Sequence, residues 1–330
     1  MRRVVAFVAA AVLVASACGA NDSSLVVYSG RSENLVGPIF ETFTEETGIE
    51  VEVRYSPSED LALLIQQEGD QSPADVFISQ SPGAIGLLAG QGLLAELGDD
   101  TLGLVPTEYR SAGGLWVGLS GRIRVLVYNA DLVSTADLPN SIFELTDSVY
   151  AARVALAPAN GSFQDFVTGL RELHGDDSAL DWLEGMERNQ AATYANNSSI
   201  VQAVARGEID MGLVNHYYNL RALAENPSLP SKNHFFDDAG SLVIITAAGI
   251  LSTSQAREDA TRLIEYLLDA DAQEFFSTET FEYPLASGST PAAALSSLAS
   301  LESATYNFDD LSGGLARSRE LIDASGLEAP

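Results

Sequence analysis

Apolar and polar residues follow two distinct patterns over the first part of the chain. A short apolar run occupies 25–28, and apolar side chains then recur at helical spacing from Leu35 to Phe43. Residues 49–55 alternate apolar and polar side chains, and 75–78 forms a third short strand-like segment. A two-residue period is typical of a strand, and a spacing of three or four residues is typical of a helix. The order of these segments predicts an α/β fold with a largely parallel sheet.

The same patterns continue through the rest of the chain. Ser58 is expected to cap a helix that carries Leu61, Leu64 and Ile65. Further strands are predicted at 123–128, 154–156, 211–214 and 242–245, and further helices at 163–173, 198–206, 216–224 and 255–276. The expected division is lobe 1 at 25–122 plus about 241–290 and lobe 2 at 123–240 plus about 291–330.

A cleaved export signal is predicted at 1–17. Arg2 and Arg3 precede the apolar run 4–14, which has the length of a signal-peptide core and is too short to span a bilayer. No other run reaches 18 consecutive apolar residues. The body of the protein is therefore expected to leave the cytoplasm.

Cys18 is the only cysteine in the sequence, so no disulfide framework and no thiolate metal site are expected. It follows Ala15-Ser16-Ala17 and resembles the lipid-modified cysteine of a bacterial lipobox, with Ala15 where Leu is usual. This position predicts a lipid-anchored linker at 18–24, which would hold the protein on the outer face of the cell membrane or in the periplasm. An ordinary secretory cleavage site with an incidental cysteine is the alternative.

The charge balance excludes several classes of partner. Lys and Arg number 17 against 46 Asp and Glu, which gives a formal charge of −29. Such a surface repels nucleic-acid phosphates and anionic lipid, so no nucleic acid is expected as a partner and lipid would be the only link to a membrane.

Two adjacent tyrosines stand where a predicted strand gives way to a helix. The apolar run of 211–214 ends at Asn215, which is expected to cap the helix, and Tyr217 and Tyr218 fall in the first turn. Neighbours in a helical turn are only about 100° apart, so two phenol oxygens can converge there. Ferric iron is a hard cation that prefers anionic oxygen and makes phenolate favourable. The pair predicts a ferric site in a cleft, and packing of a helix on a sheet is the alternative.

Several segments, in their order along the chain, resemble those of the ferric-ion-binding periplasmic proteins of bacterial ABC transporters, within the type 1 extracellular solute-binding proteins. The segments are Val27-Tyr28-Ser29-Gly30-Arg31, Glu68-Gly69-Asp70, Pro73-Ala74-Asp75-Val76-Phe77, Leu119-Ser120-Gly121-Arg122-Ile123-Arg124-Val125, Ala157-Pro158-Ala159-Asn160-Gly161-Ser162-Phe163, Asn215-His216-Tyr217-Tyr218 and Glu282-Tyr283-Pro284-Leu285. The resemblance implies an α/β, two-lobed periplasmic-binding-protein fold of type II, with a mixed, mainly parallel sheet flanked by helices in each lobe and a hinge of crossing strands. It also implies a monomeric binding protein, rather than an enzyme, that passes ferric iron to an ABC permease.

The resemblance implies a ligand set as well. Tyr217 and Tyr218 match the paired tyrosines that ligate Fe³⁺ in the family. Ser32 and Gln80 stand where some members carry a His and a Glu ligand, so that version of the site is not expected here. A further tyrosine of other members falls near Leu156 and is also missing. A synergistic anion, carbonate or phosphate, is therefore expected to complete the shell.

Polar residues from several segments are expected to hold this anion. The resemblance gives that role to Asn160, Gly161, Ser162, Asn197 and Asn215. The first three open the predicted helix that contains Phe163, and backbone N–H groups at a helix start attract anions. Ordinary helix capping by Asn160 is the alternative.

Positive charge for the anion is expected from Arg122, with Arg124 or Arg31 as further candidates. In so acidic a chain, a surface ion pair is the alternative for Arg122.

Two other classes of function compete with iron capture. The same fold binds organic solutes in other members, so thiamine, a polyamine, a phosphonate or a sugar phosphate is an alternative cargo, and tyrosines stack on such ligands. A secreted hydrolase is the second alternative. It is disfavoured because His174, His216 and His234 match no HExxH motif and because 118–122 fails the G-x-S-x-G spacing.

Overall fold

The computed structural model describes residues 24–295, 298 and 314–327 of the 330-residue chain. The strands are β1 (Leu25–Ser29), β2 (Val51–Tyr55), β3 (Val76–Ser79), β4 (Val117–Asn129), β5 (Val154–Leu156), β6 (Ala192–Thr193), β7 (Met211–Asn215), β8 (Ser231–His234), β9 (Val243–Ile250) and β10 (Tyr283–Pro284). The helices are α1 (Glu33–Thr47), α2 (Ser58–Glu68), α3 (Pro82–Gly90), α4 (Asp99–Leu102), α5 (Gly161–Arg188), α6 (Asn197–Ala205), α7 (His216–Glu225), α8 (Arg257–Leu267), α9 (Ala270–Thr278) and α10 (Gly314–Ser325). The predicted export signal and Cys18 lie outside the described residues.

The strands form one mixed sheet in the order β2-β1-β3-β9-β4-β7-β5-β6, with β8 and β10 paired to β4. The two outer parts are parallel, since β1 pairs with β2 and β3, and β5 pairs with β6 and β7. The long strands β4 and β9 run antiparallel to each other and join the two parts. This arrangement confirms the predicted fold class. We call the part built on β1, β2 and β3 lobe 1 and the part built on β5, β6 and β7 lobe 2, and the residue boundaries given from the sequence stay a prediction.

Each lobe has its own apolar core. In lobe 1, Phe43 of α1 and Ile264 of α8 pack with strand residues such as Val27. In lobe 2, Phe166 and Trp182 of α5 meet edge to face, with 5.5 Å between their ring centroids. Burial of each such side chain contributes roughly 1.5–3 kcal/mol. A third buried cluster, which joins Tyr28 and Phe77 of lobe 1 with Ala155 and Val214 of lobe 2, connects the two lobes.

Ser58 does not cap α2 as the sequence suggested. Pro57 occupies the N-cap position, and Ser58 is the first residue of the helix. The Ser58 hydroxyl oxygen instead accepts a hydrogen bond from the backbone N–H of Gln80 at 2.8 Å. A Cβ atom at Gly30 would lie 1.9 Å from that hydroxyl oxygen, so only glycine fits there. Ser58 therefore links the turn after β1, which contains Gly30, to the turn after β3, which contains Gln80.

The helix that was predicted at 163–173 is longer in the structure. A second helical stretch continues to Arg188 beyond Gly175, whose φ of 84° and ψ of 162° interrupt the helix. Among the described residues, no helix combines the length and apolar character needed to cross a membrane.

The last described helix, α10, packs on α5 and so belongs to lobe 2. The hydroxyl oxygens of Thr168 and Ser318 are 2.7 Å apart across this contact. Arg171 donates to the carbonyl oxygen of Gly314 at 2.8 Å. Residues from the end of the chain therefore support the helix that opens the predicted anion site.

Candidate metal centre in the interlobe cleft

The tyrosine pair lies at the turn from β7 to α7, as the sequence predicted. The rings of Tyr217 and Tyr218 are stacked, with 4.2 Å between centroids and 27° between planes. Tyr217 is only 1% exposed, whereas Tyr218 is half-buried. Both line a cavity of about 320 Å³ whose opposite wall is formed by Ser32, Asn34 and Leu35 of lobe 1. The pair therefore faces the interlobe cleft and not a separate core.

His216, which precedes the pair, has a structural role. Its Nδ1 accepts a hydrogen bond from the backbone N–H of Ile123 at 3.1 Å, so Nε2 carries the proton and donates to the carbonyl oxygen of Phe281 at 2.7 Å. Burial lowers the pKa of His216 to about 4, which keeps the ring neutral. With both nitrogens engaged, His216 fixes the start of α7 and is not free to bind a metal.

Tyr217 is too deeply buried for water to stabilise its phenolate form. Burial, followed by the neighbouring Tyr218, raises the pKa of Tyr217 far above that of a free phenol. Arg31 and Arg122 oppose this shift, and the Arg31 guanidinium carbon lies 6.0 Å from the centre of the Tyr217 ring. Without a bound cation to replace its proton, Tyr217 is therefore a neutral phenol next to two arginines.

The three arginines suggested by the sequence are all buried beside the tyrosines. Arg31, Arg122 and Arg124 are 2%, 0% and 1% exposed, so the surface ion pair considered for Arg122 is wrong. Arg122 and Arg124 are two residues apart on β4 and therefore point to the same face. Burial lowers the pKa of Arg124 to about 9, against the opposing effect of Tyr218.

The Arg31 guanidinium has a dedicated counter-ion. Glu282 forms a buried ion pair with it, and the Ser120 hydroxyl donates to the other oxygen of the same carboxylate at 2.6 Å. Burial, the largest single effect, lowers the pKa of Arg31, but the Glu282 carboxylate together with Tyr217 and Tyr218 outweighs it, and the pKa is raised. In the sequence, Glu282 stands out only as part of a short motif. The fold shows that it is the partner of Arg31.

The residues expected to bind an anion are brought together around Arg124. Its Nη1 donates to side-chain oxygens of Ser162, Asn197 and Asn215 at 3.2–3.3 Å. Asn197 in turn donates to the side-chain oxygens of Asn160 and Ser162, each at 3.1 Å. Asn160 also caps α5, since its side chain accepts from the Ser162 N–H at 3.1 Å. Capping and cluster membership therefore coexist at Asn160.

Asn215 departs from its expected role. It occupies the N-cap position of α7, but its side chain makes no capping hydrogen bond and is used by Arg124 instead.

Several buried donors around the three arginines have no hydrogen-bond partner among the residues that the structure describes. They are Nη1 of Arg31, Nε of Arg122, Nε of Arg124 and Nδ2 of Asn215. A buried N–H group without an acceptor costs about 1–3 kcal/mol. Three of these four donors belong to the buried arginines themselves. Together they form an environment that suits a small anion with several oxygen atoms.

A larger cavity of about 580 Å³ extends the cleft on the side of Ser32 and Gln80. It contains a residue that the sequence interpretation missed, Asp165 of α5, which is 6% exposed. Burial, and then Glu59 of α2, raise the pKa of Asp165 to about 8. The sequence does contain a signal for Asp165. It lies three residues after Ser162, and this spacing places both side chains on the same face of a helix.

Two further observations limit the donor set. Among the residues that the structure describes, no group of three or more His, Cys, Asp or Glu side chains could hold a metal ion. Leu156, near which other members have a tyrosine, is completely buried in the core of lobe 2. A metal in this cleft would therefore depend on phenol oxygens and a bound anion more than on a cluster of carboxylates and imidazoles.

Comparison with known proteins shows the family that this sequence and fold resemble. The family model of the bacterial extracellular solute-binding proteins matches residues 29–274. An Fe(3+)-binding periplasmic protein of Serratia marcescens is 33% identical over 311 residues, which cover 93% of this chain and 91% of the relative. The structure of iron-bound HitA from Pseudomonas aeruginosa has 32% identity and a TM-score of 0.87, and covers 92% of this chain and 99% of that one. The Trichodesmium protein IdiA (FutA), solved with iron and citrate ligands, has 28% identity and a TM-score of 0.81, with coverage of 93% and 100%.

Proposed function

Because the chain belongs to the bacterial extracellular solute-binding proteins, we propose that it captures ferric iron in the interlobe cleft and delivers it to the permease of an ABC importer. Tyr217 and Tyr218 supply two phenolate ligands. A carbonate or phosphate ion, held by the cluster around Arg124, completes the shell. The protein acts by reversible binding and closure of the lobes, without covalent chemistry.

The stacked tyrosines beside buried arginines are the observation that carries this proposal. Two phenolates reduce the net charge at Fe³⁺ from +3 to +1. A doubly charged anion then neutralises this remaining charge and also offsets part of the positive charge of the arginines. The unpartnered donors of Arg122, Arg124 and Asn215 give such an anion its hydrogen bonds. Relatives that bind iron, among them the Serratia and Pseudomonas proteins, support the same cargo for this chain.

Export and anchoring complete the proposal. The body of the chain works outside the cytoplasm as a monomer, in keeping with the periplasmic location named for its relative from Serratia. Lipid on Cys18 would hold it near the permease, so that loaded protein docks without a search through the bulk phase.

Removal of either phenol oxygen tests the metal assignment. Tyr217→Phe and Tyr218→Phe each delete one oxygen, and we expect loss of the visible phenolate-to-iron absorption band with the fold unchanged. Tyr150→Phe is the matched control, because the Tyr150 hydroxyl donates to the Asp137 carbonyl oxygen at 3.2 Å within lobe 2. Iron is supplied as its nitrilotriacetate complex with bicarbonate, and absorption and circular dichroism are recorded.

The proposal is rejected if the double variant Tyr217→Phe/Tyr218→Phe keeps the iron affinity of the wild type. It is also rejected if the wild type gives no absorption band with iron but binds thiamine, a polyamine, a phosphonate or a sugar phosphate in calorimetric titrations.

A further inference from the structure

We propose that Asp165 is a third protein ligand of the metal, a carboxylate supplied by α5 in place of the ligands that Ser32 and Gln80 do not provide. This inference rests on the proposed function, because it concerns the same cargo and the same cleft.

The position of Asp165 in the cleft is the first argument. Ser32, Gln80 and Asp165 line one cavity of about 580 Å³. Ser32 also lines the neighbouring cavity of the tyrosine pair, so the two cavities meet at that residue. The carboxylate therefore lies in the part of the cleft where a serine and a glutamine replace stronger donors.

Convergence on shared cations is the second argument. Arg122 interacts electrostatically with both Tyr217 and Asp165. Arg124 interacts with Tyr218, Asp165 and Tyr217. Both guanidiniums lie on one face of β4, so the two phenols and the carboxyl share these two cations as neighbours.

The helix that carries Asp165 gives a third argument. Ser162 belongs to the anion cluster, and residues three apart on a helix share a face, so Asp165 follows that cluster by one turn of α5. The Asp165 carboxyl is only 6% exposed, so its charged form has a large desolvation cost. A hard trivalent cation is the kind of partner that compensates this cost, because it prefers anionic oxygen.

The proposed ligand set has a consequence for the order of binding. Tyr217, Tyr218 and Asp165 all belong to elements that surround the sheet of lobe 2, so this lobe alone presents three oxygens that become anionic when they bind the metal. Three such oxygens match the charge of Fe³⁺, and the synergistic anion then serves the buried arginines. Lobe 1 closes over a metal that lobe 2 already holds.

The test uses Asp165→Asn, which keeps the size of the side chain and removes its charge. Two matched controls act in the same cavity. Glu59→Gln removes the other carboxylate that faces Asp165, and Ser81→Ala removes the hydroxyl that approaches Asp165 from lobe 1. Iron affinity is measured by competition with nitrilotriacetate, the absorption band is recorded, and thermal unfolding of each iron-free variant reports on folding.

We expect Asp165→Asn to weaken iron binding by more than about 100-fold, beyond the 10–100-fold typical of residues that only support a ligand. We also expect its absorption band to move to longer wavelength, because the metal loses an anionic donor and attracts phenolate electrons more strongly. Glu59→Gln and Ser81→Ala should leave the absorption band in place and weaken iron binding by no more than the roughly 10–100-fold of supporting residues.

An unchanged band and affinity in Asp165→Asn would overturn the inference while the tyrosine assignment stands. A loss that Ser81→Ala reproduces in full would also overturn it, since Asp165 would then act only through contact between the lobes. Failure of the wild type to bind iron would refute the proposed function itself, and it is recognised before any variant is compared. If Asp165→Asn does not fold, Asp165→Ala is measured under the same criteria.

Discussion

The buried ion pair of Arg31 and Glu282 gives a quantitative test of how the cleft is supported. Both side chains are only 1% exposed, and Ser120 donates to the second carboxylate oxygen. Glu282→Gln removes the negative charge, keeps the shape and leaves Arg31 as a buried cation without its counter-ion. Loss of one member of a buried pair costs about 3–5 kcal/mol, so we expect the free energy of unfolding to fall by that amount.

The control is an ion pair of similar geometry at the surface. Arg206 and Glu208 are joined at 2.6 Å, but their side chains are 57% and 52% exposed. Glu208→Gln should therefore leave the free energy of unfolding almost unchanged, because water screens the exposed pair. Equilibrium urea unfolding, followed by circular dichroism in the absence of iron, measures both variants.

A double variant separates the missing charge from lost packing. Arg31→Met in the Glu282→Gln background removes the uncompensated cation, so it should recover much of the lost stability. The reasoning is refuted if Glu282→Gln costs as little as Glu208→Gln, or if Arg31→Met destabilises the Glu282→Gln protein further.

Two further predictions concern pH and anchoring. Burial raises the pKa of Tyr217, so the Tyr217 phenol keeps its proton until iron displaces it. Iron binding should therefore tighten as pH rises, by about tenfold per pH unit for each proton released, and weaken as pH falls. Competition titrations corrected for protonation of the competing chelator measure this slope, and an affinity independent of pH would contradict the neutral phenol. For Cys18→Ala, cell fractionation should find the protein released from membranes, and a wild type that is already soluble would show that Cys18 carries no lipid.

The fold was predictable from the sequence wherever local pattern and tertiary packing agree. The run at 25–28 and the alternation at 49–55 correspond to β1 and β2, because a strand with one or two buried faces imposes that spacing on its side chains. Ser58 and Asn215 show where local signals fail. Each has a residue type suited to capping, but contacts from distant segments, the Gln80 backbone and the Arg124 guanidinium, take over its side chain.

The site was predictable in part for a similar reason. Tyr217 and Tyr218 are neighbours in sequence, so one helical turn places them together without help from the rest of the fold. Asp165 and Glu282 depend on elements that are far apart in the chain. For Asp165, the local sequence offers only its spacing of three residues from Ser162, which indicates the face of the helix but not that this face borders a cleft.

The path of the chain between the lobes has a consequence for biosynthesis. β9 pairs with β3 of lobe 1, yet it is synthesised only after the strands of lobe 2, and α10 reaches α5 from the last described segment of the chain. A ribosome that has completed two thirds of this polypeptide has therefore finished neither lobe. Domains usually fold as soon as their sequence has emerged, but here both must wait for the final portion. In a refolding experiment, we therefore expect both lobes to acquire their native contacts only when β9 and α10 are present.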